Sequence, residues 1–230
     1  MKKSGIISFL LVLLTCSFSF SSVKSQDTAK EEEKITASAK VLQDFGQMKE
    51  KIPQELMEIT QGIIVVPKLI NAGFVVGGKR GKGVAMVKLE DGSWSNPVFV
   101  TITGGSVGFQ AGIQAVDLVL IFKNRETLQN IDQNSFTLGG DVSVTAGPLG
   151  RNSTASTDAK LEAEVYSYSR SKGLFAGISL GGSVISIDEA ANKAFYGSDE
   201  NAQTIFAETN STSEQVNQLK QALQDLNPAQ

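Results

Sequence analysis

Two stretches of this 230-residue chain carry the G-x-S-x-G spacing of a nucleophile elbow. They are Gly104-Gly105-Ser106-Val107-Gly108 and Gly177-Ile178-Ser179-Leu180-Gly181. A serine so placed needs an imidazole to take its proton, and the chain has no histidine. Both stretches also fall between apparent strands instead of at a strand-to-helix turn, which sets hydrolase chemistry aside. Gly73-Phe74-Val75-Val76-Gly77-Gly78-Lys79 approaches a phosphate-binding loop. The next residue, however, is Arg80 where Ser or Thr must hold magnesium, and Gly81 and Gly83 lead into another strand. With no His and a single cysteine, Cys16, the usual zinc ligand sets are absent; no D-x-D-x-D-G calcium loop occurs either. The acids form no distinctive pair. No catalytic residue, cofactor site or metal ligand is assigned, and the chain reads as non-enzymatic.

The most distinctive polar cluster is Gly77-Gly78-Lys79-Arg80-Gly81-Lys82-Gly83. As a glycine-rich turn it brings Lys79, Arg80 and Lys82 within reach of phosphate headgroups, at about 1 kcal/mol per charge near an anionic surface. The competing reading is a solvated hairpin tip. The chain carries 21 basic and 24 acidic residues. Residues 1–25 hold Lys2, Lys3 and Lys24 and no acid, so the remainder has 18 cations against 24 anions, a net charge of −6. That balance argues against nucleic acid and against nonspecific attraction to anionic membranes. Three local charges bind weakly on such a background, so an apolar contribution is needed.

The elements that must hold these residues are next. Lys2 and Lys3 precede an apolar run, Ile6 to Leu14, and small residues around Val23 and Ser25 fit a cleavage site, so residues 1–25 are expected to be a secretion signal. The mature chain is then periplasmic or secreted, with an outer-membrane lipoprotein through Cys16 as the alternative. Residues 26–35 (QDTAKEEEKI) are polar and acidic and are expected to form a solvated linker. From Thr36, Ala37, Val41, Phe45, Met48 and Ile52 recur at helical spacing with Leu42 beside them, and Pro53 opens a second short helix to Gln61. The pattern then turns to short β segments broken by glycines: Ile63–Val66 closed by Pro67, Phe74–Val76, Val84–Leu89, Val98–Ile102, Val107–Ile113, Val116–Phe122, Leu138–Ala146, Leu161–Tyr168, Leu174–Leu180 and Val184–Ile187. Asp91-Gly92 marks a hairpin turn. Glycines within these runs (Gly108, Gly112, Gly177) favour bends, so the fold is expected to be α+β and mainly β: a strongly curved antiparallel sheet or partial barrel, with short helices at both ends. Asp188 is expected to cap Glu189–Tyr196, with Gly197 ending it, and Asp199 to cap a turn burying Ala202, Ile205 and Phe206. Residues 208–230 comprise a polar segment and an amphipathic helix whose Val216, Leu219, Leu223 and Leu226 are either docked or, within 213–226, bind a protein partner.

Several strings come in a familiar order: Gly62-Ile63-Ile64-Val65-Val66-Pro67, Gly92-Ser93-Trp94-Ser95-Asn96-Pro97, Gly147-Pro148-Leu149-Gly150-Arg151, Tyr168-Ser169-Arg170-Ser171-Lys172-Gly173-Leu174-Phe175-Ala176-Gly177 and Tyr196-Gly197. Over residues 36–207 the chain resembles SYLF domains. The resemblance implies a lipid-binding module whose partner is a phospholipid or membrane surface. Phosphoinositides are favoured by eukaryotic members that regulate actin and endocytosis. It further implies a membrane role for a basic amphipathic helix opening the domain, here Lys34–Ile52, where Lys40, Lys49 and Lys51 flank an apolar face containing Phe45. Asp44, Glu50 and Glu31–Glu33 depart from a purely basic helix. The expected setting is a bacterial envelope.

Overall fold

The computed structural model describes residues 19–48, 51–132, 135–147, 162–197 and 199–227. Helix α1 runs Ser19–Gly46. It includes the segment 26–35 expected as a linker; most of Thr28–Lys34 consists of strong helix formers, and their polarity is accommodated by pairing. Lys34 pairs with Glu31, and Glu31 is itself buried at the head of a stripe formed by Ile35, Ser38, Leu42 and Phe45. The helix stops at Gly46, earlier than the Ile52 expected. Met48 follows in a turn and Ile52 packs into the same core from outside the helix. Pro53 precedes α2, Gln54–Glu58.

Two long strands dominate the chain, β1 (Gly62–Val87) and β2 (Val98–Phe122). They pair antiparallel from Gly62↔Phe122 to Ala85↔Val98. The short strands expected between glycines are therefore continuous. Pro67, which has no N–H to donate, leaves the ladder as a bulge between Val66 and Leu69 instead of ending the strand, and Lys68 there takes φ 56°. A second irregularity lies between Gly73 and Val75. The connection between β1 and β2 contains the expected turn: Gly92 has φ 83°, its N–H donates to the Leu89 carbonyl at 3.0 Å, and the Ser93 N–H donates to Asp91 Oδ1 at 2.9 Å.

A straight strand of this length would extend about 85 Å; the ribbon instead folds back on itself. A Cβ on Gly83 would lie 2.0 Å from the Val65 carbonyl oxygen, so the two halves of β1 meet where no side chain fits. After β2 come α3 (Glu126–Gln129), a 3-10 turn to Asp132, β3 (Phe136–Leu138), β4 (Val144–Ala146), β5 (Val165–Ser171), β6 (Leu174–Phe175) and β7 (Ser183–Ile187). The sheet order is β3-β7-β2-β5-β4, with β1 on β2 and β6 on β5. Because β2 pairs with β7 near one end and β5 near the other, this one sheet curves almost to closure. All pairs are antiparallel except β4 with β5. The expected strands at 138–146 and 174–180 are shorter here. The Gly147–Asn152 turn lies mostly outside the described residues.

Side-chain alternation divides the core between the sheet faces. Ile64, Val66, Val100, Ile102, Leu118, Leu120 and Ile185 fill one side. Ile63, Val65, Val84, Phe99, Val119, Tyr166 and Tyr168 meet the helices on the other. Asp188 caps α4 (Glu189–Tyr196), accepting from the Ala191 N–H, and Gly197 ends it at φ 74°. The Tyr196 hydroxyl donates to the Pro97 carbonyl at 2.6 Å. For α5 (Ala202–Ala207) the cap is Asn201, accepting from Thr204; Asp199, expected in that role, pairs with Lys193. Helix α6 (Glu214–Leu226) lays Val216, Leu219 and Leu223 against α1, so the apolar face considered for a partner is buried within the fold. Among the described residues no helix is long and apolar enough to cross a membrane.

Candidate functional site

The cations singled out in the sequence do not converge. Residues 77–83, expected at a hairpin tip, lie inside β1 and pair with 100–106 of β2. Alternation along the strand sends Lys79 to one face and Arg80 and Lys82 to the other. Lys82 reaches Asp188 at 2.6 Å, while Arg80 is exposed. Burial tends to raise the Asp188 carboxyl, but Lys82 and the Ala191 amide hold it below its ordinary value. Lys79 is only 6% exposed, and burial pushes its amine below the ordinary lysine range. Its ammonium donates to the Ser179 carbonyl.

On α1, Lys40 is exposed and pairs with Asp44 at 3.3 Å, one turn on. Phe45 is 1% exposed. Its ring lies 5.8 Å from that of Phe175, with the Arg170 guanidinium 5.8 Å from its centroid, so it is a core residue and not part of the surface. Lys51 is exposed in the connection after α1; Lys49 lies outside the described residues. The helix thus presents its apolar face inward. Asp44, Arg170 and Asp117 form a bridge beside Phe45, with the Arg170 Nη2 2.8 Å from Asp44 and 2.7 Å from Asp117. Burial raises the Asp44 carboxyl, but Arg170 and Lys40 outweigh it and hold the group below its ordinary value.

Beyond that bridge, the described residues of the sheet include several that stand open to solvent. Ile70 pairs with Ala115 and Ala72 with Ile113, so all four share one face of the ribbon. Ile113 is 79% exposed and Ile70 40%. The Ser171 hydroxyl donates to the Ala115 carbonyl at 3.4 Å, and Leu174, 74% exposed, is the register partner of Ser171. Three of the four exposed large hydrophobics among the described residues therefore gather at one end of the sheet, which scattered surface leucines and isoleucines would not do. Two exposed lysines flank them. Lys68 (φ 56°) and Lys172 (φ 51°) are the two non-glycine residues with positive φ among the described residues, a conformation that costs backbone energy. The sequence concealed this end because Ile113 read as the end of an ordinary strand and Ile70 fell between two expected strands; only the Tyr168–Gly177 string pointed toward it. Among the described residues no cluster of His, Cys, Asp and Glu is placed to hold a metal ion.

A family profile with the description "Ysc84: Las17-binding protein actin regulator" matches residues 103–226, more than half of the chain. LAS seventeen-binding protein 3 of Saccharomyces cerevisiae is 38% identical over 190 residues, covering 81% of this chain and 40% of the relative. Protein YSC84 of the same yeast is 35% identical over 189 residues, with the same coverage. SH3 domain-containing YSC84-like protein 1 of Xenopus laevis is 36% identical over 170 residues, 71% of this chain and 50% of that protein. The chain thus spans about 40 to 50% of the length of these relatives.

Proposed function

The chain belongs to the Ysc84 (SYLF) family, and from that membership we propose that it is an exported, non-enzymatic lipid-binding module of a bacterial envelope, docking on phospholipid surfaces. The observation that carries the reading is the uncovered end of the sheet, where Ile70, Ile113 and Leu174 stand beside Lys68 and Lys172. It combines the two contributions a peripheral membrane contact needs. Apolar side chains entering the acyl boundary supply about 1.5–3 kcal/mol each when fully buried, and each lysine about 1 kcal/mol at an anionic surface. On this reading the signal is removed after Ser25, leaving 26–46 of α1 to cover the sheet. The surface engaged is the end of the sheet, in place of the apolar face of α1.

The name of LAS seventeen-binding protein 3 attaches a protein-binding role to that yeast relative. For this chain the protein-interaction reading rested on the face of α6, and that face is occupied by α1. The lipid reading is tested by flotation of the mature protein with vesicles of phosphatidylglycerol and phosphatidylcholine. Native protein floats, and Ile113→Asp, at a position exposed enough to leave folding intact, lowers binding by about tenfold or more. Failure of the native protein to float, or unchanged flotation of the variant, overturns the reading.

A further inference from the structure

The edge of β2 that faces away from β1 is only partly paired. β7 pairs with it as far as Thr103, and β5 from Asp117 onward. Between them, among the described residues, no strand lies against that side of residues 104–116. A side chain touches it at one end, where the Ser171 hydroxyl donates to the Ala115 carbonyl at 3.4 Å. Both flanking strands are turned at this gap by residues of positive φ, Lys172 at 51° just after β5 and Gly182 at 75° just before β7. Gly105, Ile113, Gln114 and Ala115 are exposed, and nothing lies within 4 Å of a Cβ built on Gly105. At about 3.4 Å per residue the open stretch is about 40 Å long, roughly twice a typical strand. A full strand therefore fits between β7 and β5.

An unpaired strand edge offers backbone N–H and C=O groups to any other strand, and monomeric proteins blunt such edges with proline and lysine. β1 carries both: Pro67 at its bulge, and Lys68, Lys79, Arg80 and Lys82 along its length. The open stretch of β2 carries neither. From Gly92 to Val116 the sequence holds no Asp, Glu, Lys or Arg, and its one proline, Pro97, precedes the strand. That absence of charge also selects the occupant. A two-fold axis lays one stretch against the same stretch reversed, so a charge near the axis meets its like, at a cost to pairing. An uncharged strand escapes that cost. β7 and β5 limit the length that the gap accepts, and the same stretch of a second chain has that length.

We propose that the open edge of β2, residues 104–116, pairs antiparallel with the same edge of a second copy of this chain, giving a two-fold dimer with one sheet continuous across both molecules. Rotation about an axis normal to the sheet reverses strand direction and keeps each face on its own side. Ile70 and Ile113 of both copies therefore stand on one side of the joined sheet. The backbone makes the dimer and the apolar face stays free, so the pairing does not depend on the membrane reading above. Where that reading holds, two patches engage one bilayer together and binding strengthens by avidity.

Sedimentation of the mature protein, without lipid, tests the pairing. The native protein is expected to have the mass of two chains at micromolar concentration and to dissociate on dilution. Gly105→Lys, where a new side chain has room, and Gln114→Lys, at an exposed position, each put a like charge on both copies. Each should weaken dimerisation about tenfold, with the melting temperature of the diluted monomer near native. Hydrogen exchange locates the contact in the native protein without any variant: outward amides of 104–116 are protected in concentrated protein and exchange freely in dilute protein. A monomer at every concentration up to the millimolar range overturns the proposal. So does a dimer that is indifferent to both lysines or gives no concentration-dependent protection in 104–116. A dimer with these properties that fails to float with vesicles upholds the edge pairing and sinks the membrane reading; a monomer that floats does the reverse.

Discussion

Arg170 of β5 reaches Asp44 of α1 at 2.8 Å, so residues 126 positions apart join the opening helix to the sheet. The same guanidinium nitrogen holds Asp117 of β2 at 2.7 Å, and the Lys68 N–H donates to Asp117 at 3.2 Å. The bridge therefore also ties down the bulge that turns Lys68 into the left-handed region. Arg170→Met leaves two carboxylates facing each other with no cation between them. It is expected to lower unfolding free energy by about 1–3 kcal/mol in urea titration, below the cost of a fully buried pair because all three groups retain some solvent. A double-mutant cycle with Asp44→Asn should show clear coupling. Additive losses would mean that the bridge is ornamental.

This bridge and the Lys82–Asp188 pair together set an acid limit. Asp44 and Asp188 both have folded carboxyl values below the ordinary 3.8. At pH well above 3.8 both groups are ionised folded or unfolded, and their contribution is complete. As pH falls below 3.8 the unfolded chain takes up protons first, and the stabilisation is lost on the way down through the folded values. Urea midpoints measured from neutral pH downward should therefore fall more steeply in the native protein than in Arg170→Met. Parallel curves would remove Asp44 from the account.

How much of this was legible in the chain depended on which forces are local. The stripe Val41, Leu42, Phe45 follows helical spacing and Asp188 follows cap chemistry, so both were readable. The segment 26–35 was not, because its charges are satisfied by Glu31–Lys34 pairing and by the sheet beneath, neither visible in composition. Pro67 and the glycines suggested breaks in strands that in fact run on, since a bulge and a folded-back ribbon absorb them. The burial of Lys79 and the exposure of Ile113 were equally hidden: alternation assigns each to a face, and only the path of α1 decides which part of a face stays open.

The folded-back ribbon makes a sharp distinction among glycines. Gly83→Ala places a Cβ on the Val65 carbonyl, where backbone meets backbone and cannot yield cheaply. A loss of about 1–3 kcal/mol or more is expected. Gly105→Ala, with nothing within 4 Å of its new carbon, should be close to neutral. Thermal melts of the two variants check this: equal melting temperatures would mean that β1 does not cross itself closely at Val65.

Helix α6 supplies the last prediction, because a docked helix and a recruiting tail respond oppositely to one truncation. Leu219 and Val216 are fully buried and Leu223 nearly so, all against α1. Lys220 on the same helix donates to Asn96 Oδ1 at 3.0 Å and to the Thr209 carbonyl. Asn96 in turn donates to the Asn210 carbonyl at 3.0 Å, which gives the Gly92–Pro97 string a structural role. Leu219→Ala should therefore cost about 2–5 kcal/mol, the range for a cavity in a packed core. Removing 208–230 should expose Leu42 and Phe45 and lower the melting temperature sharply, with increased binding of a hydrophobic dye. A tail that recruits a partner would leave the melt where it was, and an unchanged melt in the truncated chain would detach α6 from the fold described.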